Sequence, residues 1–106
     1  MKTNTALAAF TALSAATRLT VFRLLVKAGP DGLAAGRIAE LAEVPASSLS
    51  FHLKELSIGG LVHARQDGRF LIYSANYDAI NDLIGFLTEN CCEGQPCVVK
   101  PIESKL

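Results

Sequence analysis

The 106-residue chain is half apolar and 19% charged, a globular composition that excludes a disordered or low-complexity polypeptide. At this length a domain buries roughly two-thirds of its unfolded surface, so a core needs neither disulfides nor a structural metal. Ten basic and ten acidic side chains leave a formal net charge of +0, so any case for a nucleic-acid partner rests on geometry rather than bulk charge.

The charge is unevenly spread. Residues 1–30 hold Lys2, Arg18, Arg23 and Lys27 and no acid, whereas residues 70–106 hold five acids against two bases. Arg18, Arg23 and Lys27 also interrupt the one stretch apolar enough to suggest a membrane span. Met1-Lys2-Thr3-Asn4 leads into no signal-peptide cleavage pattern. The expectation is a single domain over residues 1–106, cytoplasmic and without membrane contact, with a cysteine-bearing tail from about residue 91.

In chain order, Leu7, Phe10 and Leu13 fall at helical spacing. Ser14 is placed to cap a second helix, which runs over residues 15–28, buries Leu19, Phe22, Leu25 and Val26, and is closed by Gly29-Pro30. A short helix over residues 35–42 turns Ile38 and Leu41 inward. Glu43-Val44-Pro45 then connects it to a helix over residues 46–58 that stops at Gly59-Gly60. Two helices joined by so few residues make a helix-turn-helix unit. Residues 61–65 and 69–75 are β-rich runs joined by Gln66-Asp67-Gly68, a strong hairpin signal. Asn76 caps a last amphipathic helix reaching to about residue 90, with Tyr77, Ile80, Leu83, Ile84, Phe86 and Leu87 as its apolar residues. The fold class is therefore mainly α with a two-stranded β-hairpin: a winged helix-turn-helix with extra terminal helices.

Around the helix at 46–58, Leu49, Leu53 and Leu56 share one face and pack inward. Ser47, Ser50 and Lys54 share another, Ser48 and Glu55 flank the far side, and Phe51 lies nearly opposite the leucines. An aromatic ring among serines and a lysine suits a DNA groove, where hydroxyls reach phosphates or base edges and apolar groups meet thymine methyls. The competing reading has Phe51 covering a neighbouring element or a dimer contact. His52 lies toward the leucines, as a partly buried, hydrogen-bonded histidine or, second, a phosphate contact. At the hairpin tip, Arg65 and Arg69 are candidates for backbone or minor-groove contact. The candidate DNA-binding residues are thus Ser47, Ser48, Ser50, Phe51, His52, Lys54, Arg65 and Arg69.

The terminal helices carry apolar residues on more than one face, which leaves surplus hydrophobic surface for a second subunit. A two-fold dimer would match an inverted-repeat operator in double-stranded DNA. All three cysteines lie in Cys91-Cys92-Glu93-Gly94-Gln95-Pro96-Cys97, an odd cluster that does not suggest a disulfide scaffold. Soft thiolates select thiophilic ions, and no histidine lies near in sequence to complete a zinc tetrahedron. An enzyme would need a base beside the thiols, and neither His52 nor His63 is close in sequence, so no catalytic residue is expected.

Together Ser14-Ala-Ala-Thr-Arg-Leu19, Phe22-Arg23-Leu24-Leu25, Ile38-Ala39-Glu40, Ser50-Phe51-His52-Leu53-Lys54-Glu55-Leu56, Gly60-Leu61-Val62 and Arg65-Gln66-Asp67-Gly68-Arg69-Phe70 resemble the ArsR family of metal-responsive repressors, from about Leu7 to Cys97. The resemblance implies a homodimeric repressor that leaves its operator when an inducer binds. Residues 35–43 hold no cysteine and no histidine follows His63, so two of the family's inducer sites are missing. Cys91, Cys92 and Cys97 look like the branch of arsenic sensors with a C-terminal cysteine pair and a nearby third cysteine. That match implies As(III) or Sb(III) as inducer, held within one chain or across the dimer. A thiol redox-sensing repressor, or a constitutive DNA-binding module with incidental cysteines, are the other readings.

Overall fold

The computed structural model describes residues 1–94, which form five α-helices and a small sheet. The order is α1 (Thr3–Leu13), α2 (Ala16–Ala28), β1 (Leu33–Ala34), α3 (Ala35–Ala42), α4 (Ala46–Ile58), β2 (Val62–Asp67), β3 (Phe70–Ala75) and α5 (Tyr77–Leu87), followed by a 3₁₀ turn at Cys91–Gly94. The sheet is antiparallel in the order β1-β3-β2 and is contacted chiefly by α2, α3 and α4. The expected hairpin and helix-turn-helix are both present. The two-residue β1, pairing Leu33 with Tyr73 and Ala34 with Ile72, is an addition too short to leave a period-two pattern. No single helix among the described residues is long and apolar enough to cross a membrane, and α1 and α2 meet at a bend of 103°.

The core is a contiguous cluster that includes Val21, Phe22 and Leu25 of α2, Ile38 of α3, Leu49, Leu53 and Leu56 of α4, Leu61 and Val62 before and in β2, and Leu83 of α5. Several expected members are not in it. Leu19 and Val26 are exposed. The buried face of α2 is made by Val21, Phe22 and Leu25, and both Leu19 and Val26 lie about 100° around the helix from its centre, at 100° per residue. Leu41 is also exposed, because α3 packs through Ile38 with Ala35, Ala39 and Ala42 beside it, an i, i+3, i+4 stripe that Leu41 flanks.

In α1 the small residues, not the large apolar ones, face the core. Ala6, Ala9 and Ala12 are buried while Leu7 and Phe10 are exposed. The reason lies in α4's exit. A Cβ added at Gly59 would sit 2.6 Å from Ala12 Cβ and 3.0 Å from the Ala8 carbonyl oxygen, so the helices touch where only small residues fit. Ser14 does not cap α2. It ends α1, where its hydroxyl donates to the Thr11 carbonyl at 2.8 Å, and Ala15 occupies the N-cap of α2 without a side-chain bond. The vacant end of α1 is satisfied by Arg18, whose Nε donates to the Ala12 carbonyl at 2.8 Å.

Candidate nucleic-acid interface and thiol site

The connection from α3 to α4 is tight because Glu43 adopts left-handed geometry (φ 58°, ψ 47°) and its N–H closes onto the carbonyls of Ala39 and Glu40. Pro45 then precedes the first turn of α4 with extended geometry. With Leu49, Leu53 and Leu56 buried, α4 presents Ser47, Ser48, Ser50, Phe51 and Lys54 to solvent, and Phe51 is 56% exposed. Ser50 donates to the Ala46 carbonyl at 3.3 Å, which leaves its oxygen lone pairs facing outward as acceptors. His52 is half-buried, as its position toward the leucines suggested. Its Nδ1, however, is buried without a hydrogen-bond partner, and its ring meets Phe51 edge-on at 5.7 Å. The hydrogen-bonded histidine expected there is thus replaced by one that braces an exposed aromatic ring.

The wing separates the two arginines that the sequence grouped at its tip. Asp67 pairs with Phe70, so Gly68-Arg69 forms the turn and Arg69 stands at the end of the hairpin. Arg65 pairs with Ile72 lower down, and its guanidinium donates to the Asp31 carbonyl at 3.0 Å. It ties the wing to the loop after α2. His63 faces Ser74 across the hairpin and lines an open cleft with Asn76, Tyr77 and Asp78.

The last helix ends earlier than the sequence suggested, at Leu87 rather than near Asn90, where Thr88 turns its hydroxyl back onto the Ile84 carbonyl at 2.8 Å. Asn90, Cys92 and Glu93 all have left-handed φ near 57° (56°, 58° and 56°), winding the chain into a tight turn. That turn brings the Sγ atoms of Cys91 and Cys92 to 2.8 Å. Among the described residues no three His, Cys, Asp or Glu side chains converge as a metal site; Cys97, the third thiol of the expected set, lies outside them.

The joint between α4, β3 and α5 carries features that residue patterning did not reveal. α4 closes with paired bonds, Leu61 N–H to the Leu56 carbonyl and Gly60 N–H to the Ser57 carbonyl, both 3.0 Å, with Gly60 at φ 77°; this is a Schellman closure. The two carbonyls that follow are both received by Asn76: its Nδ2 donates to Gly60 O at 2.9 Å and its backbone N–H to Leu61 O at 2.8 Å. Asn76 Oδ1 meanwhile accepts from Ala79 N–H at 3.2 Å, the cap expected of it. Next to it, the Tyr77 hydroxyl lies 2.9 Å from the Val26 carbonyl and 3.3 Å from that of Leu25, at the end of α2. Asparagine before an apolar run announces a cap; the chain it reaches across to is a matter of tertiary structure.

A family model described as a helix-turn-helix domain matches residues 13–65, which runs from the end of α1 through α2, α3 and α4 into β2. The chain is 30% identical to the HTH-type transcriptional regulator YgaV of Escherichia coli (strain K12) over 76% of this chain and 80% of that protein. Among solved structures it is similar to an ArsR-like transcriptional regulator from Rhodococcus sp. RHA1, with a TM-score of 0.75 and 27% identity over 85% of this chain and 82% of that one. It is also similar to a possible transcriptional regulator for arsenical resistance, with a TM-score of 0.62 and 26% identity over 73% of this chain and 77% of that one.

Proposed function

Because the chain belongs to the ArsR-like family of helix-turn-helix, DNA-binding transcriptional regulators, we propose that it is a repressor whose hold on its operator is broken by trivalent arsenic or antimony bound to C-terminal thiolates. The observation that carries this reading is the 2.8 Å approach of the Cys91 and Cys92 sulfurs at the end of α5. Two adjacent soft donors suit a thiophilic ion, and Cys97 is close enough in sequence to supply the third sulfur of a pyramidal As(III) or Sb(III) site. The similarity to a possible regulator for arsenical resistance points the same way.

In this reading α4 lies in the major groove. Ser47, Ser48 and Ser50 reach phosphates or base edges, Phe51 meets thymine methyls, His52 braces Phe51, and Lys54 neutralises a phosphate. Arg69 approaches the minor groove from the wing tip, while Arg65 sets the wing's angle. A second copy covers the exposed apolar residues of α1 and α5, among them Leu7, Phe10, Ile84 and Leu87, and the two-fold dimer binds an inverted repeat with half-sites about one helical turn apart, or a multiple of it. Release follows if the ion binds the DNA-free dimer more tightly by about 1–3 kcal/mol or more.

The test is operator release against added arsenite for wild type, Cys91→Ser, Cys92→Ser and Cys97→Ser. Each variant is expected to hold the operator as wild type does and to lose or blunt release, since a two-sulfur site is weaker than three. Normal release in all three would overturn the thiol site. The closeness of the two sulfurs also suits a redox-sensing repressor; release by peroxide and not by arsenite identifies that function instead.

A further inference from the structure

The geometry points to Asn76 as a positioning residue that sets the orientation of the reading helix α4 from the start of α5. It rests on α4 being the helix that reads DNA. At the exit of α4, Gly59 is packed against α1, but one residue on, nothing within 4 Å of Gly60 would meet a Cβ there. Packing alone therefore does not hold the chain at Gly60. The Schellman bonds fix its N–H side, and its carbonyl is held by the Asn76 side-chain amide, bonded at 2.9 Å to the Gly60 oxygen.

The same side chain begins α5 by accepting from Ala79 N–H. One planar amide thus links the last residues of one helix to the first turn of the other, and the two cannot tilt independently without breaking a bond. α1 grips α4 beside this point through the Ala12–Gly59 contact. Both terminal helices therefore hold the reading helix by the same end. Tyr77, bonded to the carbonyls at the end of α2, keeps the start of α5 from sliding.

Substitution separates the clamp from the cap. Asn76→Asp retains an oxygen acceptor for Ala79 N–H, aspartate being as good an N-cap as asparagine, but loses the donor and sets a carboxylate against the Gly60 carbonyl. Asn76→Ser keeps a capping oxygen without the reach to Gly60. The backbone bond from Asn76 to Leu61 survives in both. Specific and non-specific duplex affinities are measured at one salt concentration on the intact protein, with Phe51→Ala alongside. Both Asn76 variants are expected to melt within a few degrees of wild type and to bind non-specific DNA unchanged. Their operator affinity should fall about tenfold, equivalent to about 1.4 kcal/mol, narrowing the ratio of specific to non-specific binding. A purely structural role would lower the melting temperature and leave that ratio alone. Either that pattern, or a ratio within twofold of wild type in both variants, overturns the clamp. If Phe51→Ala leaves sequence preference unchanged, α4 is not the reading helix and the clamp has nothing to position. If Phe51→Ala shifts preference while the Asn76 variants do not, the clamp alone fails.

Discussion

α4 and α5 are helices of 13 and 11 residues, each with an apolar stripe, and they use it in opposite ways. α4 buries Leu49, Leu53 and Leu56 within its own chain, whereas α5 buries only Leu83 and leaves Ile84 at 52% and Leu87 at 59% exposure. A stripe completed inside the chain leaves the opposite face available for chemistry. An uncompleted stripe calls for another surface. Phe51 sharpens the contrast: it is apolar and exposed on the face of α4 opposite its completed leucine stripe. Its exposure therefore stands apart from folding, whereas that of Ile84 and Leu87 is an unfinished packing problem.

The largest effect expected from this difference is on stability. Leu56→Ala removes a fully buried side chain from α4, with a cost of about 2–5 kcal/mol. A loss near 3 kcal/mol would lower the melting temperature by roughly 15 °C in a domain of this size. The same truncation at Leu87, at a protein concentration too low for association, should shift it by only a few degrees. Equal losses at the two positions, read by thermal denaturation, would erase the distinction between a closed and an open stripe.

How much of this was legible in the sequence depended on which contacts set each residue's environment. The face of α4 was readable because a helix with three leucines at i, i+4 and i+7 has one way to pack. The turn at Gly29-Pro30, the hairpin around Asp67-Gly68 and the cap at Asn76 were readable because their residues act through local geometry. The exposure of Leu19, Val26 and Leu41 was not, since hydrophobicity does not say which of two apolar faces will meet a neighbour. In α1 the alanines went inward because α4 ends in glycine there, a pairing across 47 positions in the chain (Ala12 with Gly59). The separate fates of Arg65 and Arg69 followed from a strand register that places one beside Asp31 and the other in the turn. The thiol pair was visible as residue types, but the left-handed turn that brings the sulfurs together was not.

A smaller and more selective effect is expected at the open stripe. Ile84→Lys places a charge in the surface proposed to meet a second copy, near the end of α5 where a cation suits the helix dipole. The chain's own core is untouched, so far-UV circular dichroism should keep its helical signal while sedimentation shows a monomer. Operator affinity should fall at least tenfold, because two half-sites are then bound by separate molecules. A variant that stays dimeric, or one that unfolds outright, would show that Ile84 belongs to a different surface from the one assigned to it.

The smallest effect on stability, and the most informative about function, is expected on the outer face of α4. Lys54 is exposed, so Lys54→Ala should change unfolding free energy by no more than about 0.5 kcal/mol. If the ammonium neutralises one phosphate, its removal releases one counterion fewer on binding. The slope of log affinity against log salt should then flatten by about one, with specific and non-specific duplexes weakened alike. Phe51→Ala should do the reverse, leaving the salt slope in place and changing which base pairs are preferred, since a ring carries no charge to release ions but does fill space beside thymine methyls. The two substitutions lie three residues apart on one helix, so affinity and salt slope left untouched by Lys54→Ala would rotate α4 in the groove and reassign its face. If Phe51→Ala also left base-pair preference unchanged, the helix would be out of the groove altogether, because the wing alone would then carry the contacts that α4 was expected to make.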